Sequence, residues 1–379
     1  MNIFEYILSI FIKWVLKLIE TRNKDMENVC EKVEDGSLDG IIDGNLDGNV
    51  DYWSGILETN HRFDFSDINL LPKKCIVHSR NQCDTSIQFG GYTFRLPVVP
   101  ANMECVIDEA QALKLATNGF FYVYHRFFSD VVSFAKTMQN NHCPVSISVG
   151  VNDDSKQLLE DLLRNFIIPD FITIDIAHGH SVKMEDMITW IKHYYQYQKM
   201  PFLIAGNVST AEGVIDLEKW GANAIKVGIG PGSACTTYNA TGFGSRGCQA
   251  SVVQLCARAR RNNSTMIIAD GGIQHPGDIA KALVLGADMA MIGGMFSGLQ
   301  DSPGSVVSGQ DGKLYKEFWG SASAFQSGKK NHVEGTKKLV LMKPHGILDE
   351  MRILTESLQS AISYGGGVNL SCFKHVKYF

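Results

Sequence analysis

The chain has 379 residues, 45% of them apolar and 20% charged, enough for a sizeable core in one large domain or two ordinary ones. A formal net charge of −5, with no basic run and no interleaving of aromatic and basic residues, argues against a general nucleic-acid binder. Nine cysteines without a CxxC pair fit reduced thiols in a cytoplasmic compartment better than a disulfide framework.

Residues 1–60 differ from the rest and are read as an N-terminal extension to a domain spanning 61–379. The stretch "IFEYILSIFIKWVLKLIE" is strongly apolar but interrupted by Glu5, Lys13 and Lys17, and it is short for a spanning helix. It suits an amphipathic helix that touches a membrane surface through residues 3–20 or docks on protein. Next, Asp35, Asp39, Asp43, Asp47 and Asp51 recur every fourth residue among glycines. No closing glutamate of a calcium loop follows, so a flexible acidic linker is expected.

From Phe63 onward short apolar runs alternate with segments of helical periodicity. The runs are "LPVVPANM", "FFYVYHRF", "PVSISVGV", "FITIDIAHGH", "PFLIAGNV", "AIKVGIG", "MIIADGGI" and "MAMIGGMF". Segments such as "DEAQALKLATNG" and "TAEGVIDLEKWGA" lie between them with apolar residues at helical spacing. Eight such units predict a closed (β/α)8 TIM barrel, an α/β fold whose chemistry gathers at the C-terminal strand ends. A doubly wound open sheet would want a GxGxxG after its first strand, which is missing.

The strand ends bring together Asn102, Met103, His125, Arg126, Asp175, Asn207, the 228–237 loop, Asp270 to Gly272, and Gly293 with Gly294. Gly271, Gly272, Gly293 and Gly294 follow strands seven and eight, where barrels often bind phosphate through backbone N–H groups. Asp270 beside them is placed to accept from ribose hydroxyls, so a nucleotide monophosphate is expected. His178 and His180 form an HxH pair without a third ligand nearby and are read as loop histidines. The connection after strand six runs about forty residues where its neighbours run nearer twenty, a length typical of functional loops. It opens with "GIGPGSACTT", a glycine-rich loop around Cys235.

Taken together and in order, "ANM", "AGNV", "KVGIGPGSACTT", "DGGI" and "MIGG" resemble the family that comprises IMP dehydrogenase and GMP reductase. The resemblance covers roughly Phe63 to the C-terminus and implies that Cys235 attacks C2 of a purine to form a covalent thioimidate. Within the family the reductase branch is favoured. The connection between "YVYHRF" and "PVSISVGV" is too short for an inserted domain pair, and "SGKKNHVEGTKK" lacks the arginine–tyrosine pair of a dehydrogenase flap. "HVEG" instead matches a pattern in which Glu334 works with Thr237. "FDFSDINLLPKKCIVHSRNQCDTSIQFGG", "ITIDIAHGHS" and "YKEFWGSASAFQ" also resemble that branch.

The implied reaction is NADPH-dependent reductive deamination of GMP to IMP and ammonia. The alternatives are NAD-dependent oxidation of IMP, a flavin-dependent barrel enzyme and a non-catalytic nucleotide-binding scaffold. The resemblance adds Ser233, Gly320 and Gly335 to the substrate site and makes "SGKKNHVEGTKK" a mobile flap. It places Arg126, Asp175, Ile176 and Ala177 beside the cofactor. Ser79 and Arg80 are expected to reach the adenosine end from a neighbouring subunit, which implies a homotetramer. Gly230 and Gly232 are expected to offer carbonyls to K⁺. Tyr238, Arg246, Cys248 and Ala324 depart from the family pattern, and Cys248 would be oxidisable with Cys235 if the two approached closely.

Overall fold

The computed structural model describes residues 62–127, 130–328, 331 and 333–379. The expected N-terminal helix and the Asp-Gly repeat lie outside these residues.

After two short 3-10 turns, Phe65–Asp67 and Arg80–Gln82, comes a hairpin of β1 (Ile87–Phe89) and β2 (Tyr92–Phe94), paired antiparallel around Gly90 and Gly91. Their φ values of +59° and +85° make the two-residue turn that matches strand twist, and they explain the paired glycines. A Cβ on Gly90 would also run into the Phe171 ring. Phe89 and Phe94 pack on Phe121, each with ring centroids 5.0 Å apart, and Phe121 packs on Phe171 at 4.9 Å. Phe171 and Phe202 are the first residues of their strands, so this aromatic plug fills the N-terminal mouth of the barrel. The opposite mouth is left for chemistry.

Seven parallel strands follow: β3 (Val98–Pro100), β4 (Ser146–Val149), β5 (Phe171–Asp175), β6 (Phe202–Val208), β7 (Ala224–Val227), β8 (Met266–Asp270) and β9 (Met289–Ile292). Their order is β3-β9-β8-β7-β6-β5-β4, so the last strand pairs with the first and the sheet curls on itself. Every residue of β3, β4, β7 and β9 is buried, as expected of strands covered on both faces. Val99, Ile204, Ala224, Ile268, Met289 and Met291 belong to one apolar core with Phe121 and Val123.

The second expected run, Phe120 to Phe127, is extended but forms a single parallel bridge, Tyr124 to Ile147, rather than a regular strand. Tyr124 accepts from the Ser148 amide at 2.9 Å and donates to the Ser146 carbonyl at 3.2 Å. The cause of the missing ladder is a side chain. The Tyr122 hydroxyl donates to the Pro144 carbonyl (2.6 Å) and accepts from the Ser146 amide (3.0 Å), taking backbone groups a ladder would use. The run lies in the chain between β3 and β4, the two edges of the sheet, and completes the eightfold α/β pattern of the barrel.

Helices alternate with the strands, and short polar side chains start them. Asp108, Asp130, Asn152, Ser181 and Thr210 each accept from an amide in the first turn of the helix they precede. Each such cap is worth about 1 kcal/mol. After β9 the chain forms a small antiparallel sheet of β10 (Val306–Ser308), β11 (Leu314–Trp319) and β12 (Lys337–Leu341), then the Ile347–Tyr364 helix. No helix among the described residues is long and apolar enough to cross a membrane.

Candidate active site

The cysteine loop leaves β7 with the Gly228 amide bonded to the Val208 carbonyl at 2.8 Å. It turns so that the Cys235 amide reaches the Gly232 carbonyl at 3.0 Å. The segment leading into β12 then pairs with it. The Thr236 amide donates to the Glu334 carbonyl and the Thr336 amide to the Ala234 carbonyl, both at 2.9 Å. The same segment bonds on its other side, Glu334 amide to Ala322 carbonyl at 3.1 Å and Gly320 amide to Thr336 carbonyl at 3.1 Å. Gly335 is therefore held between two backbones, and a Cβ there would stand 2.9 Å from the Ser323 nitrogen.

This clamp places three side chains in line. The Cys235 thiol donates to the Thr237 hydroxyl at 3.2 Å, and that hydroxyl donates to the Glu334 carboxylate at 2.6 Å. Thr237 is buried and Cys235 is partly open to the cleft. Thiol, hydroxyl and carboxylate so arranged can move a proton away from sulfur or back toward a leaving group.

A second constellation lies deeper. Lys226, in the middle of β7, is 2% exposed and bonds Asp175 at 2.6 Å and Asp270 at 3.1 Å. Asn102 donates to the other oxygen of Asp175 at 3.1 Å. Asn207 donates to Asp270 at 2.8 Å and to the Gly228 carbonyl at 2.7 Å. Burial works against the charge on Asp175, but Lys226, Arg126 and Asn102 outweigh it and hold the carboxyl below its ordinary range. Burial likewise disfavours the ammonium of Lys226, and the two aspartates override it, raising the lysine above its usual range. Removing one partner from such a buried pair costs about 3–5 kcal/mol.

Around both constellations the strand ends enclose a cavity of about 840 Å³. Cys235, Thr237, Glu334, Ser233, Asp270, Gly271, Gly272, Gly293, Gly294 and Gly320 line it, as do Arg126, Asp175, Ile176, Ala177, Gly230 and Gly232. The glycine-rich ends of β8 and β9 meet the cysteine loop. A Cβ on Gly271 would lie 3.1 Å from the Gly232 nitrogen, and one on Gly294 would lie 3.8 Å from the Ser233 hydroxyl. Three of the expected site residues lie outside the lining. Gly335 is buried behind Cys235, to which it bridges. Ser79 and Arg80 are exposed on a turn packed against the Ile347–Tyr364 helix, where Arg80 reaches Ser360 at 3.1 Å.

Sequence reasoning did not single out Lys226, although a lysine inside an otherwise apolar strand signals a buried, paired charge. Asn102 and Asn207 were placed at strand ends without a partner, and the structure supplies Asp175 and Asp270. Of the departures from the family pattern, Tyr238 is half exposed, and Ala324 begins a short helix ending at Ser327. Cys235 and Cys248 are both free thiols. Burial pushes the Cys248 thiol up, with Arg62 and Asp64 as its charged neighbours. His180 bonds Asp216 at 2.8 Å and His178 is exposed; the described residues contain no His/Cys/Asp/Glu group able to hold a metal.

Residues 62–378 match the family model described as IMP dehydrogenase / GMP reductase domain. A GMP reductase from Bacillus licheniformis is 50% identical over 317 residues, spanning 83% of this chain and 95% of the relative. One from Bacillus subtilis is 49% identical over 317 residues with the same 83% and 95% coverage. One from Lactobacillus delbrueckii subsp. bulgaricus is 49% identical over 319 residues, spanning 83% of this chain and 94% of the relative.

Proposed function

This chain belongs to the IMP dehydrogenase / GMP reductase family, and from that premise we propose that it reduces GMP to IMP and ammonia with NADPH. The observation that carries the reading is the hydrogen-bonded line from Cys235 through Thr237 to Glu334. The Cys235 sulfur gives up its proton along this line and forms a C–S bond at C2 of the guanine. The line then returns a proton to the 2-amino group, because an amine leaves readily only when protonated. The C–N bond breaks, ammonia departs, and a thioimidate remains on Cys235. NADPH, when bound, supplies the hydride that reduces C2. The C–S bond then breaks, Cys235 returns as thiolate, and IMP is released.

On the nucleotide side, Asp270 accepts from ribose hydroxyls, while Ser233 and the glycine ends of β8 and β9 surround the phosphate. Gly320 keeps the backbone close beneath the base, and Gly335 acts from behind Cys235 by letting the 333–336 segment lie against the cysteine loop. On the cofactor side, Ile176 and Ala177 offer a small apolar edge, Asp175 an acceptor, and Arg126 a cation suited to a phosphate. A cavity of about 840 Å³ reaching from Arg126 to Gly294 has room for parts of both ligands. Ser79 and Arg80, exposed and away from this cavity, suit the adenosine end of a dinucleotide held by a neighbouring subunit of a homotetramer. The carbonyls of Gly230 and Gly232 are the candidate ligands for K⁺, a hard cation that takes oxygen donors. A cytoplasmic location belongs to the same reading, since the mechanism needs Cys235 as a free thiol.

Product analysis tests this directly. Incubation with GMP and NADPH is expected to yield IMP and ammonia in equal amounts. Formation of XMP from IMP and NAD⁺, with GMP left untouched, would replace this reading by the dehydrogenase one.

A further inference from the structure

We propose that Lys226 is a positioning residue that ties the two halves of the cleft together, one buried ammonium keeping both Asp175 and Asp270 in the form that accepts ligand hydroxyls. The inference rests on the assignment of Asp270 to the nucleotide and Asp175 to the dinucleotide.

The geometry is built around this side chain. Lys226 shares the inward face of β7 with Ala224, a member of the barrel core. Beside it on β6, Gly206 clears the way: a Cβ there would lie 2.6 Å from the Cβ of Lys226. The ammonium then reaches across the barrel to Asp175 at the end of β5 and sideways to Asp270 at the end of β8. Each aspartate has a neutral amide as its second partner, Asn102 for Asp175 and Asn207 for Asp270. Lys226 and Asn207 both bond Oδ2 of Asp270, which orients Oδ1 as the oxygen left for a ligand. Arg126 also favours the ionised form of Asp175. Lys226 is thus the cation bonded to both carboxylates.

Replacing Lys226 with methionine keeps the stem and removes the charge. Asp175 and Asp270 then face each other across the vacated centre, and burial with mutual repulsion favours a proton held between them. That proton is shared by the pair, so Asp270 is in part a donor where it must accept. GMP affinity is therefore expected to fall at neutral pH and to recover as pH rises, because the pair then sheds the proton it holds.

The test is calorimetric titration of the full chain with GMP between pH 6 and 9. Wild type is expected to bind with little pH dependence. Lys226→Met should weaken binding about tenfold at pH 7, narrowing to about threefold at pH 9. Lys226→Arg should restore the flat profile. Adding Asp175→Asn to Lys226→Met removes one negative charge beside the lost positive one. GMP affinity is then expected to recover to within about threefold of wild type, although Asp175 lies on the dinucleotide side. This double variant also covers the case in which Lys226→Met fails to fold. A Lys226→Met profile parallel to wild type, or a double variant no better than the single one, would overturn the inference. Absence of GMP binding by wild type overturns the assigned nucleotide, and the inference with it.

Discussion

Thr237 donates its hydroxyl to the carboxylate of Glu334 across 2.6 Å, although 97 residues separate the two in the chain. The contact exists because the 333–336 segment is pinned as an irregular strand between the cysteine loop and the 320–323 turn. A hydrogen-bonded line that depends on two loops meeting can be broken at the carboxylate without touching Cys235. Glu334→Gln is expected to lower kcat by about 10²–10³-fold with GMP KM changed far less. Steady-state kinetics decide this, and a variant with wild-type kcat would remove Glu334 from the relay.

Cys235→Ala removes the sulfur but leaves the glycine ends and Asp270 in place. Turnover is expected to vanish while GMP binding stays measurable by calorimetry. In wild type, intact-protein mass spectrometry after acid quench of a reaction mixture should show a purine nucleotide attached to Cys235. Turnover at the wild-type rate in the variant would rule out covalent catalysis.

Gly335→Ala tests the clamp. Its Cβ would meet the backbone at Ser323, so the 333–336 segment must move. Strain of this kind costs about 1–3 kcal/mol. A lower melting temperature and at least a tenfold loss of kcat are expected together, since the same shift draws Glu334 from Thr237. A stability loss with unchanged kcat would show that the clamp does not position the carboxylate.

His125 supplies a pH signature of folding. Burial lowers its pKa to about 4, whereas an unfolded histidine titrates near 6.5. Between these values the unfolded chain binds a proton that the folded chain refuses. Stability is therefore full above about pH 6.5 and declines as pH falls toward 4. Thermal melts from pH 7 to pH 4.5 should show this slope, and His125→Asn should make it shallower. An unchanged slope would assign the acid sensitivity to other groups.

How much of this was legible in the sequence follows from where each signal resides. Strands buried on both faces read as continuous apolar runs, so β3 to β9 and their order were visible. The run around Tyr122 read the same way, but its ladder is replaced by a tyrosine hydroxyl, a tertiary contact that no local pattern encodes. Cys235 and Thr237 share one loop, and the resemblance of that loop to the family pointed to both. Glu334 was reachable only through a motif, because its meeting with Thr237 depends on backbone pairing far along the chain. Lys226 escaped notice because four residues are too few for periodicity to show which face carries the charge. Its partners are visible only in the fold, where β5 and β8 bring Asp175 and Asp270 to it.

If Cys235, Thr237 and Glu334 serve the reduction of GMP, reduced nicotinamide is consumed only when GMP and the Cys235 thiol are both present. The most direct measurement follows the absorbance of the reduced nicotinamide in two parallel reactions, GMP with NADPH and IMP with NAD⁺, for wild type and Cys235→Ala. Loss of NADPH is expected to require GMP, to be absent in Cys235→Ala, and to have no counterpart with IMP and NAD⁺. Accumulation of NADH from IMP and NAD⁺ with no consumption of NADPH would contradict it.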